Sequence, residues 1–149
     1  MRYDGGIVKW FGAALALAVV MFTAAFAQTQ TTASVWTGVY TSEQATRGAE
    51  LYRGKCAECH GVDLEGRESA PALAGGEFGQ RWDGATLKKL FGVMEDMPPD
   101  EPAKRVAPAQ LIDVLAYLLS FNNIPAGTKA LVMDKDAMAA IKYHSQRPK

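Results

Sequence analysis

The pentapeptide Cys56-Ala57-Glu58-Cys59-His60 constrains this chain more than any other feature. It holds both cysteines of the 149-residue sequence and one of its two histidines, the other being His144. The stretch that follows shows no hydrophobic period: Gly61, Gly66, Pro71, Gly75, Gly76 and Gly79 mark residues 60–82 as loop. A structureless loop of that length does not belong in a compact domain unless something other than backbone ladders organises it. Two cysteines exclude a multi-bridge disulfide scaffold. A thioredoxin-type pair would need a βαβ context, and none is visible. A structural zinc site needs four ligands, and beyond this cluster only His144 and carboxylates are available. A simple disulfide between Cys56 and Cys59 stays open.

The same spacing, C-x-x-C-H, is the attachment signature of c-type haem. Two thiols three positions apart reach the vinyl groups of neighbouring pyrroles and form thioethers. The next residue then projects beneath the ring, so His60 is the candidate proximal ligand of the iron. The tether keeps the porphyrin at high effective concentration beside that ligand. One covalently bound haem c would also supply the organiser that the loop lacks.

Residues 1–27 read as a signal peptide. Arg2 and Lys9 precede an apolar run that ends in the small-x-small pattern Ala25-Phe26-Ala27 and then turns polar. An uncleaved segment would serve instead as a membrane anchor, since about 18 apolar residues nearly span a bilayer. Either way the rest of the chain is expected outside the cytoplasm, in the periplasm. Cleavage leaves 122 residues, enough for a single small core. The formal net charge of zero, with 16 basic and 16 acidic side chains, excludes a generally basic nucleic-acid binder. The average hides an uneven distribution: residues 28–126 carry 9 basic and 13 acidic groups, residues 127–149 carry 5 and 2.

The remaining chain predicts an all-α domain. Residues 28–39 are expected as a flexible leader, with an extended lead-in over 35–40. A first helix should span about 41–55, because Thr41 and Gln44 have capping-box spacing. A second should open on Asp83 and reach about Met94, with Leu87, Leu90, Phe91 and Met94 on one stripe. A third should start near Pro108, bury Leu111, Val114, Leu115 and Leu118, and stop at Asn122-Asn123. A short helix is expected over 135–143, and no strand of useful length appears.

A sixth iron ligand must come from outside this motif. Met97 is the leading candidate, because Pro98-Pro99 hold it outside any helix. Met94 falls on the apolar stripe of the second helix, where core packing explains it. Met133 and Met138 sit in a charged tail, where gap-filling is the usual role. His144, a water or an open site complete the alternatives. A thioether ligand would raise the iron potential, and two protein ligands would favour electron transfer over oxygen chemistry.

From about Tyr40 to Gly127 the chain resembles class I cytochromes c. Its nearest look is the small cytochromes or cytochrome domains found alongside quinoprotein (PQQ-dependent) alcohol dehydrogenases. The resemblance is carried by Tyr-Thr-Ser-Glu-Gln-Ala at 40–45, Cys-Ala-Glu-Cys-His-Gly-Val-Asp-Leu at 56–64 and Ala-Pro-Ala-Leu-Ala-Gly at 70–75. Trp-Asp-Gly-Ala-Thr-Leu at 82–87, Met97-Pro98, Val-Leu-Ala-Tyr-Leu-Leu at 114–119 and Asn-Ile-Pro-Ala-Gly at 123–127 complete it. It implies a cytochrome c fold of three or more helices and long loops around one haem, occupying residues 40–126, with 127–149 as a basic C-terminal extension. It further implies that Gly48 and Tyr52 cross the last helix opposite Val114 and Tyr117. Pro71 would accept the N–H of the haem histidine through its carbonyl, Leu73 would form part of the haem wall, and Trp82 would donate to a propionate.

One departure stands out. Many soluble members dock through lysines, whereas Met97 is flanked by Glu95, Asp96, Asp100 and Glu101, an acidic rim suited to a basic or neutral partner face. The function implied is single-electron transfer through His/Met-ligated haem iron between redox proteins. The partners would be a periplasmic dehydrogenase and a downstream cytochrome or oxidase, with no nucleic acid involved. Two alternatives accompany it: a dedicated electron-transfer subunit of one dehydrogenase complex, and an open-site haem enzyme or sensor. The extension could fold back on the body or grip a partner.

Overall fold

The computed structural model describes residues 33–68 and 70–149. The expected signal peptide and the leader up to Thr32 lie outside the described residues. The described part has six α-helices: α1 (Ser42–Lys55), α2 (Ala57–His60), α3 (Gly75–Trp82), α4 (Leu87–Glu95), α5 (Pro108–Phe121) and α6 (Lys135–Ala139). Two short strands, β1 (Ala33–Ser34) and β2 (Ile141–Lys142), pair in parallel. The all-α class holds, and this ladder of two residues per strand joins the two ends of the described chain. No helix among the described residues is long and apolar enough to cross a membrane.

Helix α1 begins where its cap dictates. The Thr41 hydroxyl accepts from Gln44 N–H, and the Gln44 side-chain carbonyl accepts from Thr41 N–H, which satisfies two otherwise orphaned donors. Helix α5 opens on Pro108, whose missing N–H costs nothing in a first turn. It ends at Asn122, and Asn123 follows at φ 61°. These two helices cross tightly, because Gly48 presents no side chain to the backbone of Asp113. Around the crossing, the Tyr52 and Tyr117 rings pack at a 50° tilt with centroids 5.3 Å apart. Arg47 grips Asp113 through both carboxylate oxygens at 2.7 and 2.9 Å.

Three expectations need correction. The stretch 60–82 is not all loop, since α3 occupies its last eight residues. Phe78 and Trp82 stand one turn apart and both are buried, so two anchors suffice where glycines obscure any longer period. Asp83 does not open the following helix. It closes α3, and its carboxylate accepts from the N–H and hydroxyl of Ser145 at 2.8 and 3.0 Å. Helix α4 starts later, capped by Thr86, whose hydroxyl accepts from Lys89 N–H. The tail helix ends at Ala139, because Ile141–Lys142 are drawn into the strand pair.

Residues 33–39 are not extended throughout. Val35–Thr37 form a 3-10 turn, and Val35 is completely buried. Residues 127–149 fold back on the body: Leu131, Met138 and Tyr143 join Phe78, Trp82, Leu87, Phe91 and Leu115 in the larger core cluster. Gln44 ties the tail down from α1. Its amide donates to Leu131 C=O at 2.9 Å and its carbonyl accepts from Leu131 N–H at 2.7 Å. A smaller cluster gathers Tyr52, Ala57, Leu64, Val114 and Leu118 on the other side.

Candidate haem site

The Cys56–His60 segment is a single helical turn. Cys56 caps it, Cys59 N–H and His60 N–H both donate to Cys56 C=O at 3.2 and 2.9 Å, and Gly61 at φ 83° ends it. Residues three apart on such a turn share a face, so both thiols project together. Both are free thiols; Cys59 is exposed and Cys56 is half-buried. Burial, with a smaller contribution from the charge of Cys59, pushes the Cys56 thiol up to about 11.

His60 Nδ1 lies 2.8 Å from Pro71 C=O. A carbonyl can only accept, so Nδ1 is the donor and Nε2 is the nitrogen left to face a metal. The loop is built to bring Pro71 there. Gly66 N–H donates to His60 C=O at 2.8 Å, closing a tight turn. Gly66 sits at φ 79°, and a Cβ on it would fall 2.5 Å from Ala72 N and 2.8 Å from the Pro71 carbonyl carbon. Only glycine both takes that conformation and lets the Pro71 backbone come so close. Leu64 adopts φ 60° with its side chain completely buried. This conformation costs a non-glycine residue about 1–2 kcal/mol, which the packing of Leu64 against Tyr52 and Leu118 offsets.

Leu73 and Met94 are the partly buried side chains that pack against both core clusters. They mark an apolar seam between them. Leu73 is held at both ends of its peptide: its N–H donates to Leu64 C=O at 2.8 Å, and its C=O accepts from Asn122 Nδ2 at 3.0 Å. Asn122 also accepts from Gly75 N–H at 3.2 Å, so one side chain buckles the end of α5 to the start of α3. Trp82 lies in the larger cluster, its ring tilted against Phe78 at 6.3 Å.

Met97 follows the C-cap of α4. Its N–H donates to Met94 C=O at 3.1 Å, its bond to Pro98 is cis, and 39% of its surface is exposed. The loop beyond it turns through Pro102–Lys104. The Lys104 ammonium is held protonated chiefly by its hydrogen bond to Glu101, with smaller contributions from Glu58 and Cys59. Sequence reasoning passed over Gly66, Leu64 and Asn122. Only their punctuation of loop and helix end was visible, not what they hold.

Three of the four acids around Met97 have basic partners within the chain. Glu95 pairs with Lys135 at 2.7 Å, Asp96 lies 3.6 Å from Arg105, and Glu101 pairs with Lys104. A cleft of about 650 Å³ is lined by residues that include Leu64, Phe121, Asn122 and Tyr143, but by none of Cys56, Cys59, His60 or Met97.

The donor set fits a covalent haem: two free thiols on one face, an imidazole with Nε2 available, and an apolar seam beside them. The family described as "Cytochrome C oxidase, cbb3-type, subunit III" matches residues 43–143. The cbb3-type cytochrome c oxidase subunit CcoP of Rhodobacter capsulatus is 29% identical over 94 residues, 53% of this chain. The match spans 31% of that relative's length. No solved structure matches. With the helical fold, these findings define a c-type cytochrome domain. The chain belongs to the cbb3-type cytochrome c oxidase subunit III family.

Proposed function

We propose that the chain binds one haem c through Cys56 and Cys59, with His60 and Met97 as axial ligands, and passes single electrons between periplasmic redox proteins. The observation that carries this reading is the 2.8 Å contact from His60 Nδ1 to Pro71 C=O beside two free thiols. Bound haem supplies a one-electron ferric/ferrous couple. Pro71 orients the imidazole and raises its basicity. Leu73 and Met94 exclude water from the ring, Trp82 is the candidate donor to a propionate, and the Met97 thioether raises the potential.

The name of the Rhodobacter relative favours a respiratory oxidase complex as the setting. The link to quinoprotein alcohol dehydrogenases rests on resemblance in the flanking sequence alone. Residues 1–27 serve in this reading as the export signal, which places the domain in the periplasm; if uncleaved, they anchor it to the membrane.

A reduced pyridine-haemochrome spectrum of the periplasmic fraction tests the cofactor, and one haem per chain is the expected stoichiometry. Absence of the c-type α band would overturn the reading. Met97→Ala should abolish the sulfur-to-iron charge-transfer band of the ferric protein. Co-purification with an oxidase, as against a dehydrogenase, decides the partner.

A further inference from the structure

The loop that carries Met97 leaves α4 at Glu95, an unfavourable place for a carboxylate. The C-terminal end of a helix carries partial negative charge, so an acid there frays the last turn and a cation steadies it. That last turn is where the Met97 backbone is held: Asp96 N–H donates to Val93 C=O at 3.3 Å and Met97 N–H to Met94 C=O at 3.1 Å.

A cation is supplied from residues 127–149. Lys135 Nζ lies 2.7 Å from Glu95 Oε2, and the Glu95 side chain is only 23% exposed. Lys135 is itself presented from a fixed frame. The Asp134 carboxylate caps α6 by accepting from Asp136 N–H and Ala137 N–H at 2.9 and 3.1 Å, and Met138 is completely buried. A second, looser pair joins Lys88 of α4 and Asp136 of α6 at 3.7 Å.

We propose that Lys135 is a positioning residue for Met97: its ion pair with Glu95 pins the end of α4 and so resists displacement of the methionine from the iron. The proposal rests on Met97 as the axial ligand.

The test is imidazole binding to the ferric holoprotein, followed by loss of the sulfur-to-iron band. Imidazole must displace the methionine, so a loosened loop binds it more tightly. Lys135→Met should tighten binding about two- to five-fold, the range of a partly exposed ion pair. Glu95→Gln removes the pair together with the acid that frays the helix end, so its shift should be smaller, and in the Lys135→Met background it should relieve part of that variant's shift. Lys135→Arg, which keeps the charge, should restore the wild-type affinity, a rescue that general destabilisation does not produce. Lys149→Met should leave it unchanged. Unchanged affinity in Lys135→Met, or an equal shift in Lys149→Met, overturns the proposal. A band that survives Met97→Ala overturns the ligand assignment itself, and is told apart because it needs no Lys135 variant.

Discussion

Gly48→Ala is expected to destabilise the protein even though alanine is the better helix former. In an exposed helix interior the exchange gains about 1 kcal/mol. At Gly48 the new methyl would lie 1.9 Å from the carbonyl oxygen of Asp113, 2.5 Å from its carbonyl carbon and 2.9 Å from Tyr117 Cβ. Ordinary contact starts at 3.4 Å, so α1 and α5 must part by about 1.5 Å. Two of the three obstructing atoms are helix backbone, which cannot turn aside as a side chain can. Parting the helices also loosens the Arg47–Asp113 grip and the Tyr52–Tyr117 ring contact. Overpacking of this kind costs about 1–3 kcal/mol, and a backbone obstruction belongs at the upper end. Net of the helix gain, the loss is about 2 kcal/mol, or roughly 10 °C in Tm for a domain of this size. The assay is thermal and guanidinium unfolding of the holoprotein followed by helical circular dichroism. Gly54→Ala is the control. Gly54 lies in the same helix, and a Cβ there would meet nothing within 4 Å, so it should gain up to about 1 kcal/mol. A Gly48→Ala protein as stable as wild type, or two variants shifted alike, would refute the crossing argument.

Tyr52→Phe removes a buried hydroxyl that donates to Gly61 C=O at 2.7 Å; with that carbonyl orphaned, the expected loss is about 1–3 kcal/mol, read as a lower guanidinium midpoint. Gln44→Ala strands both peptide groups of Leu131 and should cost on the order of 2–3 kcal/mol, with limited proteolysis cutting first in residues 127–149. Asp83 is held below its ordinary range by the Ser145 N–H and then by the Ser145 hydroxyl. Its contribution is therefore present above the unfolded value of about 3.9 and lost as pH falls through the lower folded value. Asp83→Asn should flatten the acid limb of a stability–pH curve below about pH 4, and an unchanged limb would assign the acid sensitivity elsewhere.

Local chemistry in the sequence determined what short-range rules can determine. Thr41 and Gln44 announced the start of α1 because a capping box is complete within four residues. Pro108 and Asn122 bounded α5 for equally local reasons. The cysteine pair with its histidine named a chemistry because the spacing lies within one turn. What the tertiary structure decided depends on partners far apart in the chain. Gln44 caps its own helix, but it also holds Leu131, 87 residues away. The acids around Met97 read as a charged rim until Lys135 folded across to meet Glu95, 40 residues from it. Helix α3 was hidden because two buried aromatics anchor it among glycines, with too few turns to show a period. Charge count marked the tail as a basic extension free to fold back or to grip a partner; three of its side chains lie in the core. Net charge and periodicity are sums along the chain, whereas burial and pairing are set by what the fold brings beside each residue.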